Sequence, residues 1–195
     1  MSIYVVDTNV FSHSLKNLMP FDVFDSFWLP WSDGMKNGTI ISVDEVYNEL
    51  DNLWGAENPK KNRIAEGEWL KIHRNYFLGL TEAEGHIVAE IYKSKKFQEG
   101  VKERSLREGT PEADAILVAK AKSVGGIVVT NESNDKPNSE KIPNICVSLG
   151  VPYIKKEDFY RVLKNIHSGC PEHDGVTVYY TLQVESELEE EIEAG

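Results

Sequence analysis

The sequence predicts an α/β fold built on a parallel sheet, from two features of the chain. Short apolar runs rich in β-branched residues, such as residues 3–6 and 127–130, end abruptly in polar residues. Segments of helical periodicity separate these runs, the alternation expected of a buried parallel sheet with helices on its faces.

Taken in order, residues 3–6 read as a buried strand that ends in Asp7-Thr8-Asn9. Residues 21–31 are unusually aromatic (Phe21, Phe24, Phe27, Trp28, Trp31) and read as a helix or turn laid over the sheet. Residues 39–42 form a short strand candidate. It leads into an apolar stripe of Val43, Val46, Tyr47, Leu50, Leu53 and Trp54, one face of a helix. A loop is expected over 55–61 and helices over 68–77 and 82–97. Thr81 and Glu84 have the spacing of a capping box before the second of these.

Thr110-Pro111-Glu112 is a helix start, with Thr as N-cap, Pro at the first helical position and an acid in the first turn. The helix runs through an Ala-rich stretch to Lys122, and Gly125-Gly126 stops it. A strand over 127–130, a helix over 142–149 closed by Gly150, a strand over 151–154 and an amphipathic helix over 157–166 complete the pattern. The mostly helical stretch 55–109 interrupts the alternation and reads as an inserted layer. Residues 1–167 are expected to form one domain, and 168–195 an appendix with one candidate strand at 176–182.

The chain has 195 residues, 41% apolar and 10% aromatic, enough to bury a core without disulfides. Cys146 and Cys170 are too few for a disulfide framework and suit a reducing cytoplasm. The N-terminus has neither the basic region nor the apolar run of a signal peptide, and no stretch is long and apolar enough to span a bilayer. The net charge of -11 argues at first against a nucleic-acid partner. Six Glu, however, fall in the last eleven residues, and without them the net charge is -5. Residues 56–107 are mildly basic, with eleven Lys or Arg against eight acids. Lys60, Lys61, Arg63, Lys71, Arg74, Lys93, Lys95, Lys96, Lys102, Arg104 and Arg107 make this the candidate phosphate-contacting face.

Ligands of an open parallel sheet bind beyond the carboxyl ends of its strands. Asp7 ends the first strand, and Glu132 follows Thr130-Asn131 at the end of a later one. Asp114 lies in the first turn of its helix. Glu49 flanks the apolar stripe of the helix before it, with Glu45 one turn earlier. Singly, each has an ordinary reading as a turn residue, a helix-dipole partner or a surface acid. Four acids from four segments, converging on one edge, would repel one another by several kcal/mol per close pair at an effective dielectric of about 20. A hard divalent cation held by oxygen ligands, Mg²⁺ or Mn²⁺, relieves that repulsion.

Tyr4-Val-Val-Asp7-Thr8-Asn9-Val10, Val46-Tyr-Asn-Glu49-Leu50, Glu112-Ala-Asp114-Ala115-Ile116-Leu117 and Val128-Val-Thr130-Asn131-Glu132 together resemble the PIN domain. The likeness covers residues 3–165 in order, and the aromatic block at 20–31 resembles a PIN-like subgroup. It implies a three-layer α/β/α sandwich and a metal-dependent ribonuclease, as in the toxins of VapC-type toxin–antitoxin pairs. By resemblance, Asp7, Glu49, Asp114 and Glu132 ligate the metal, and Thr8, Asn9, Thr130 and Asn131 support them. The family's fourth acid is usually Asp directly after Thr-Asn; here it is Glu132, with Asp135 three residues on as a competitor. An RNA substrate, an antitoxin partner and a homodimer are further implications.

Two other functions are weighed beside this one. A catalytically silent PIN-like scaffold would bind a protein or nucleic-acid partner, with the acidic tail as its main contact surface. A haloacid-dehalogenase-type phosphatase needs a second Asp two residues after the first, where this chain has Asn9. His167, Cys170 and His173 form a possible zinc set, but their spacing matches no common finger.

Overall fold

The computed structural model describes residues 2–14, 25–54, 64–93, 113–133 and 141–168. Strand β1 (Tyr4–Val6) passes at Asp7 into a short helix α1 (Thr8–His13), and α2 (Asp25–Lys36) leads to β2 (Ile40–Val43). Helices α3 (Asp44–Trp54) and α4 (Ile64–Ile72) precede β3 (Phe77–Leu78), and α5 (Glu82–Lys93) and α6 (Ala113–Val124) precede β4 (Ile127–Thr130). Helix α7 (Ile142–Leu149), β5 (Tyr153–Lys155) and α8 (Lys156–Ser168) follow.

The five strands form one sheet in the order β3-β2-β1-β4-β5, parallel at every pairing. The register sets Val5 beside Ile41 on one side and Val128 on the other. Strand β1 is therefore buried on both edges and both faces, which is why it is a continuous apolar run. The chain crosses from β1 to β2 in one direction and from β4 to β5 in the other. The gap between the carboxyl ends of β1 and β4 is thus the switch point where such sheets place their ligands.

Helices flank the sheet. Tyr4 and Trp31 both meet Phe159 of α8, with ring centroids 5.5 and 5.2 Å apart, and α2 packs along α8. Helix α6 packs on β1, β2 and β4 between α5 and α7. Its residues from Ala115 to Ala121 are all buried, so it has no solvated face, and small side chains let its neighbours approach on all sides.

The turn into β4 is tight. Gly125 has φ +61°, and a Cβ built on Gly126 would stand 2.8 Å from the carbonyl oxygen of Ile3. Because that neighbour is backbone, Gly126→Ala is expected to cost about 1–3 kcal/mol, read as a lower urea midpoint with an unchanged slope.

Several expectations are corrected. The stripe does not begin at Val43, which is the last residue of β2, and Leu53 is exposed, leaving Val46, Leu50 and Trp54 as the buried face. The helix expected over 68–77 ends at Ile72. After a 3₁₀ turn at Arg74–Tyr76, Phe77 and Leu78 pair with Ser42 and Val43 as an edge strand. The stretch read as an inserted helical layer thus supplies part of the sheet. Thr8–His13, for which no element is expected, forms helix α1 directly after Asp7. The strand expected over 151–154 is Tyr153–Lys155, because Val151 donates its N–H to Cys146 in the turn that closes α7. Phe21, Phe24, the 55–61 loop, the Thr110-Pro111-Glu112 helix start and the strand expected over 176–182 lie outside the described residues. No helix among the described residues is long and apolar enough to cross a membrane.

Candidate active site

Asp7 is the residue where β1 becomes α1, in extended conformation, and it is 6% exposed. Its Oδ2 accepts a hydrogen bond of 3.0 Å from the Thr130 hydroxyl at the end of the neighbouring strand. Among the described residues no Lys, Arg or His forms an ion pair with it. Burial pushes the Asp7 carboxyl up to about 7, and the nearby charges of Glu132 and Glu49 push the same way, against the Thr130 bond.

Each supporting polar residue has an anchoring task. Thr8 donates to Glu49 Oε2 at 2.5 Å, tying the first turn of α1 to α3. Asn9 Oδ1 accepts the backbone N–H of Asn131 at 2.9 Å, and Thr130 Oγ1 accepts that of Glu132 at 3.1 Å. The Asn9–Asn131 and Asp7–Thr130 bonds lace the end of β1 to the end of β4, where the sheet ladder can no longer satisfy the backbone.

Asp114 lies in the first turn of α6, as expected. It and Glu132 both act on Cys146 of α7, whose thiol is pushed well up, first by burial and then by these two carboxylates. Glu132 and Glu49 thus act electrostatically on Asp7, and Asp114 and Glu132 on Cys146. Glu45 stands beside Glu49 in the first turn of α3. Burial raises its carboxyl, as do Asp44 and Glu49, while Lys120 acts in the opposite direction.

Two carboxylates are committed elsewhere. Glu49 is turned to Thr8, and Glu132 Oε2 accepts the N–H of Ile142 at 2.9 Å, capping the start of α7. Among the described residues no three His, Cys, Asp or Glu side chains stand close enough to share one ion. The donor chemistry nonetheless fits a hard divalent cation. The four acids are oxygen donors, the Asp7 carboxyl is raised by burial and like charge, and among the described residues no Lys, Arg or His forms an ion pair with it.

Of the expected basic face, Lys71, Arg74 and Lys93 are described and the other eight residues are not. Arg74 is occupied locally. It pairs with Asp44 at 2.7 Å, donates to the Phe77 carbonyl and lies 4.5 Å over the Tyr47 ring. Asp135, Cys170 and His173 fall outside the described residues, as does the side chain of His167.

Lys155 and Lys156 were missed in the sequence. Lys155 Nζ donates to the Glu132 carbonyl and Lys156 Nζ to Asn131 Oδ1. Nothing in a Lys-Lys pair before a helix signals this, because the contacts depend on the pairing of β5 with β4.

The family described as a domain of unknown function, DUF4411, matches residues 4–165. The chain belongs to this family. DUF4411 is PIN-like, and the resemblance read from the four motifs stands. Three solved structures are similar to the DUF4411 chain. VapBC2 from Rickettsia felis, bound to a DNA fragment from their promoter, is 17% identical with a TM-score of 0.42, over 67% of this chain and 87% of that one. FitAB bound to an IR36 DNA fragment is 16% identical with a TM-score of 0.48, over 79% and 95%. FitAcB from Neisseria gonorrhoeae is 20% identical with a TM-score of 0.42, over 67% and 88%. No curated protein matches the chain.

Proposed function

We propose that the chain is a Mg²⁺- or Mn²⁺-dependent endoribonuclease, the toxin of a toxin–antitoxin pair, working in the cytoplasm. The observation that carries this reading is Asp7, a buried carboxyl at the sheet's switch point, raised to about 7 by burial and by the charges of Glu132 and Glu49, with no basic partner among the described residues. Such a group is costly to keep unless it has work to do. Asp7, Glu49, Asp114 and Glu132 would hold the ion. Glu132 would use Oε1, since Oε2 caps α7. When bound, the ion supplies a more acidic water and neutralises charge on a phosphate. Thr130 orients Asp7, Thr8 orients Glu49, and the Asn9–Asn131 bond fixes the spacing of the two strand ends.

In the same reading residues 1–167 are the nuclease unit and 168–195 an acidic appendix. An antitoxin-like protein and a second copy of the chain are its partners. RNA cleavage is expected from wild type with Mn²⁺, and it should be lost with EDTA and in Asp7→Asn. Undiminished cleavage in both altered samples would overturn the proposal.

A silent scaffold is favoured by one observation, the absence of three acids within reach of a common ion among the described residues. Calorimetry with Mn²⁺ separates the two, since a scaffold takes up no ion. The phosphatase reading is not retained, because Asn9 occupies the position of its second Asp and serves as the acceptor for Asn131.

A further inference from the structure

Glu132 is held at three points. Its N–H donates to Thr130, its carbonyl accepts from Lys155, and its carboxylate caps α7 at Ile142. The preceding residue is held at two, through the Asn9 side chain and Lys156. Successive strand residues point to opposite faces, so two adjacent lysines would ordinarily diverge. Here Lys155 ends β5 and Lys156 starts α8, and the change of backbone direction brings both ammonium groups onto one two-residue turn. Thr130 is paired in register with Lys155, so the turn begins where the ladder between β4 and β5 stops. Lys156 is fixed in turn by Glu157, 2.6 Å away, and its side chain is only 13% exposed.

We infer that Lys155 and Lys156 form a brace on the Asn131–Glu132 turn that sets how far Glu132 reaches toward Asp7, making both lysines positioning residues for ion binding. This rests on the proposed function of the same site. The brace grips a backbone carbonyl and a side-chain amide oxygen of the Asn131–Glu132 turn itself, so it acts on where that turn holds the carboxylate. A general surface role would need no such pair of neutral acceptors. Glu132 is one methylene longer than the Asp usual after Thr-Asn, and a longer arm has more positions to be selected from.

The test uses the full chain and Mn²⁺ alone, followed by calorimetry, with hydrogen exchange at the Ile142 amide as a second readout. Lys155→Met and Lys156→Met are expected to weaken Mn²⁺ binding about 10–100-fold, the usual effect of losing a group that orients a metal ligand. They should also speed exchange at Ile142 in metal-free protein, with a thermal midpoint within a few degrees of wild type. Lys→Arg at either position keeps a donor in reach and should restore both readouts. Unchanged affinity and unchanged Ile142 exchange in the Met variants would overturn the brace while leaving the nuclease reading intact. Wild-type protein that binds no Mn²⁺ overturns that reading, and the brace with it.

Discussion

Asp7→Asn is expected to make the metal-free protein more stable at pH 8 while abolishing its chemistry. The sign follows from the direction of the shift. The folded-state carboxyl titrates at about 7 against an ordinary value of 3.8. Below about pH 4 the group is neutral in both states and the fold keeps its full stability. As pH rises from about 4 to about 7 the unfolded chain ionises while the buried carboxyl stays protonated, so stability falls, and the loss is complete above about 7. The loss is on the order of 2–4 kcal/mol, since each pKa unit is worth about 1.4 kcal/mol and neighbouring groups relax. Asn is uncharged and can still accept the Thr130 hydroxyl bond, so it removes the penalty and keeps the contact. Denaturant titrations from pH 5 to pH 9 should show wild type weakening and the variant not. Mn²⁺ should stabilise wild type alone, and cleavage should fall about 10³-fold, several kcal/mol of transition-state stabilisation. A variant less stable than wild type at pH 8 would contradict this account of Asp7.

The second large effect lies away from the acids, in the ion pair between Lys120 of α6 and Glu84 of α5. Nζ and Oε2 are 2.7 Å apart, and the side chains are 4% and 3% exposed. Lys120 also donates to the Gly79 carbonyl at 2.9 Å. Glu84 closes the capping box, accepting the Thr81 N–H at 2.9 Å while its own N–H meets Thr81 Oγ1 at 3.3 Å. Burial pushes the Glu84 carboxyl up, but the bonds from Lys120 and Thr81 outweigh it and hold it below its usual range. Its contribution is therefore present above about pH 4.3 and lost as pH falls through the depressed folded value.

Glu84→Gln leaves the Lys120 ammonium sealed without its counter-charge. Breaking a buried pair costs about 3–5 kcal/mol. This one is shallow, close to the surface with little protein beyond its partners, so about 3 kcal/mol is expected. In a domain of this size that lowers Tm by roughly 6–12 °C. The double variant Lys120→Met, Glu84→Leu removes both charges and should recover most of the loss, because apolar side chains of similar volume satisfy the same space. A single variant that melts with wild type would show the pair to be solvated.

What was legible in the sequence and what was not divide along physical lines. Strands β1 and β4 are buried on both faces and appear as unbroken apolar runs, and α7 was bounded at 142–149 by Gly150, whose φ is +67°. The Thr81–Glu84 box was readable because its bonds join residues three apart. Strand β3 was not, since two residues have no periodicity and Phe77 and Leu78 are strand only through Ser42 and Val43. Asp7 and Glu132 could be placed at the strand ends because each follows closely on an apolar run, β1 and β4. That Thr8 and Ile142 would each claim a carboxylate depends on distances between segments 41 and 10 residues apart. The lysines are the clearest case. No pattern in the sequence singles out Lys120, Lys155 or Lys156, and their partners come only from tertiary contacts.

All four tryptophans are buried, and three of them form a contiguous cluster across α2 and α4, Trp31 stacked on Trp28 and Trp69 edge-on to it. Trp28 lies 5.5 Å from both Trp31 and Trp69, and Trp69 is stacked at 4.3 Å on His73. Indoles this close couple their electronic transitions, and the adjacent imidazole can quench their emission. The protein thus carries an intrinsic optical probe of its own packing. The carboxylates at the strand ends absorb nothing in that spectral window, so indole emission reports the packing of this cluster and not the charge state of the acids.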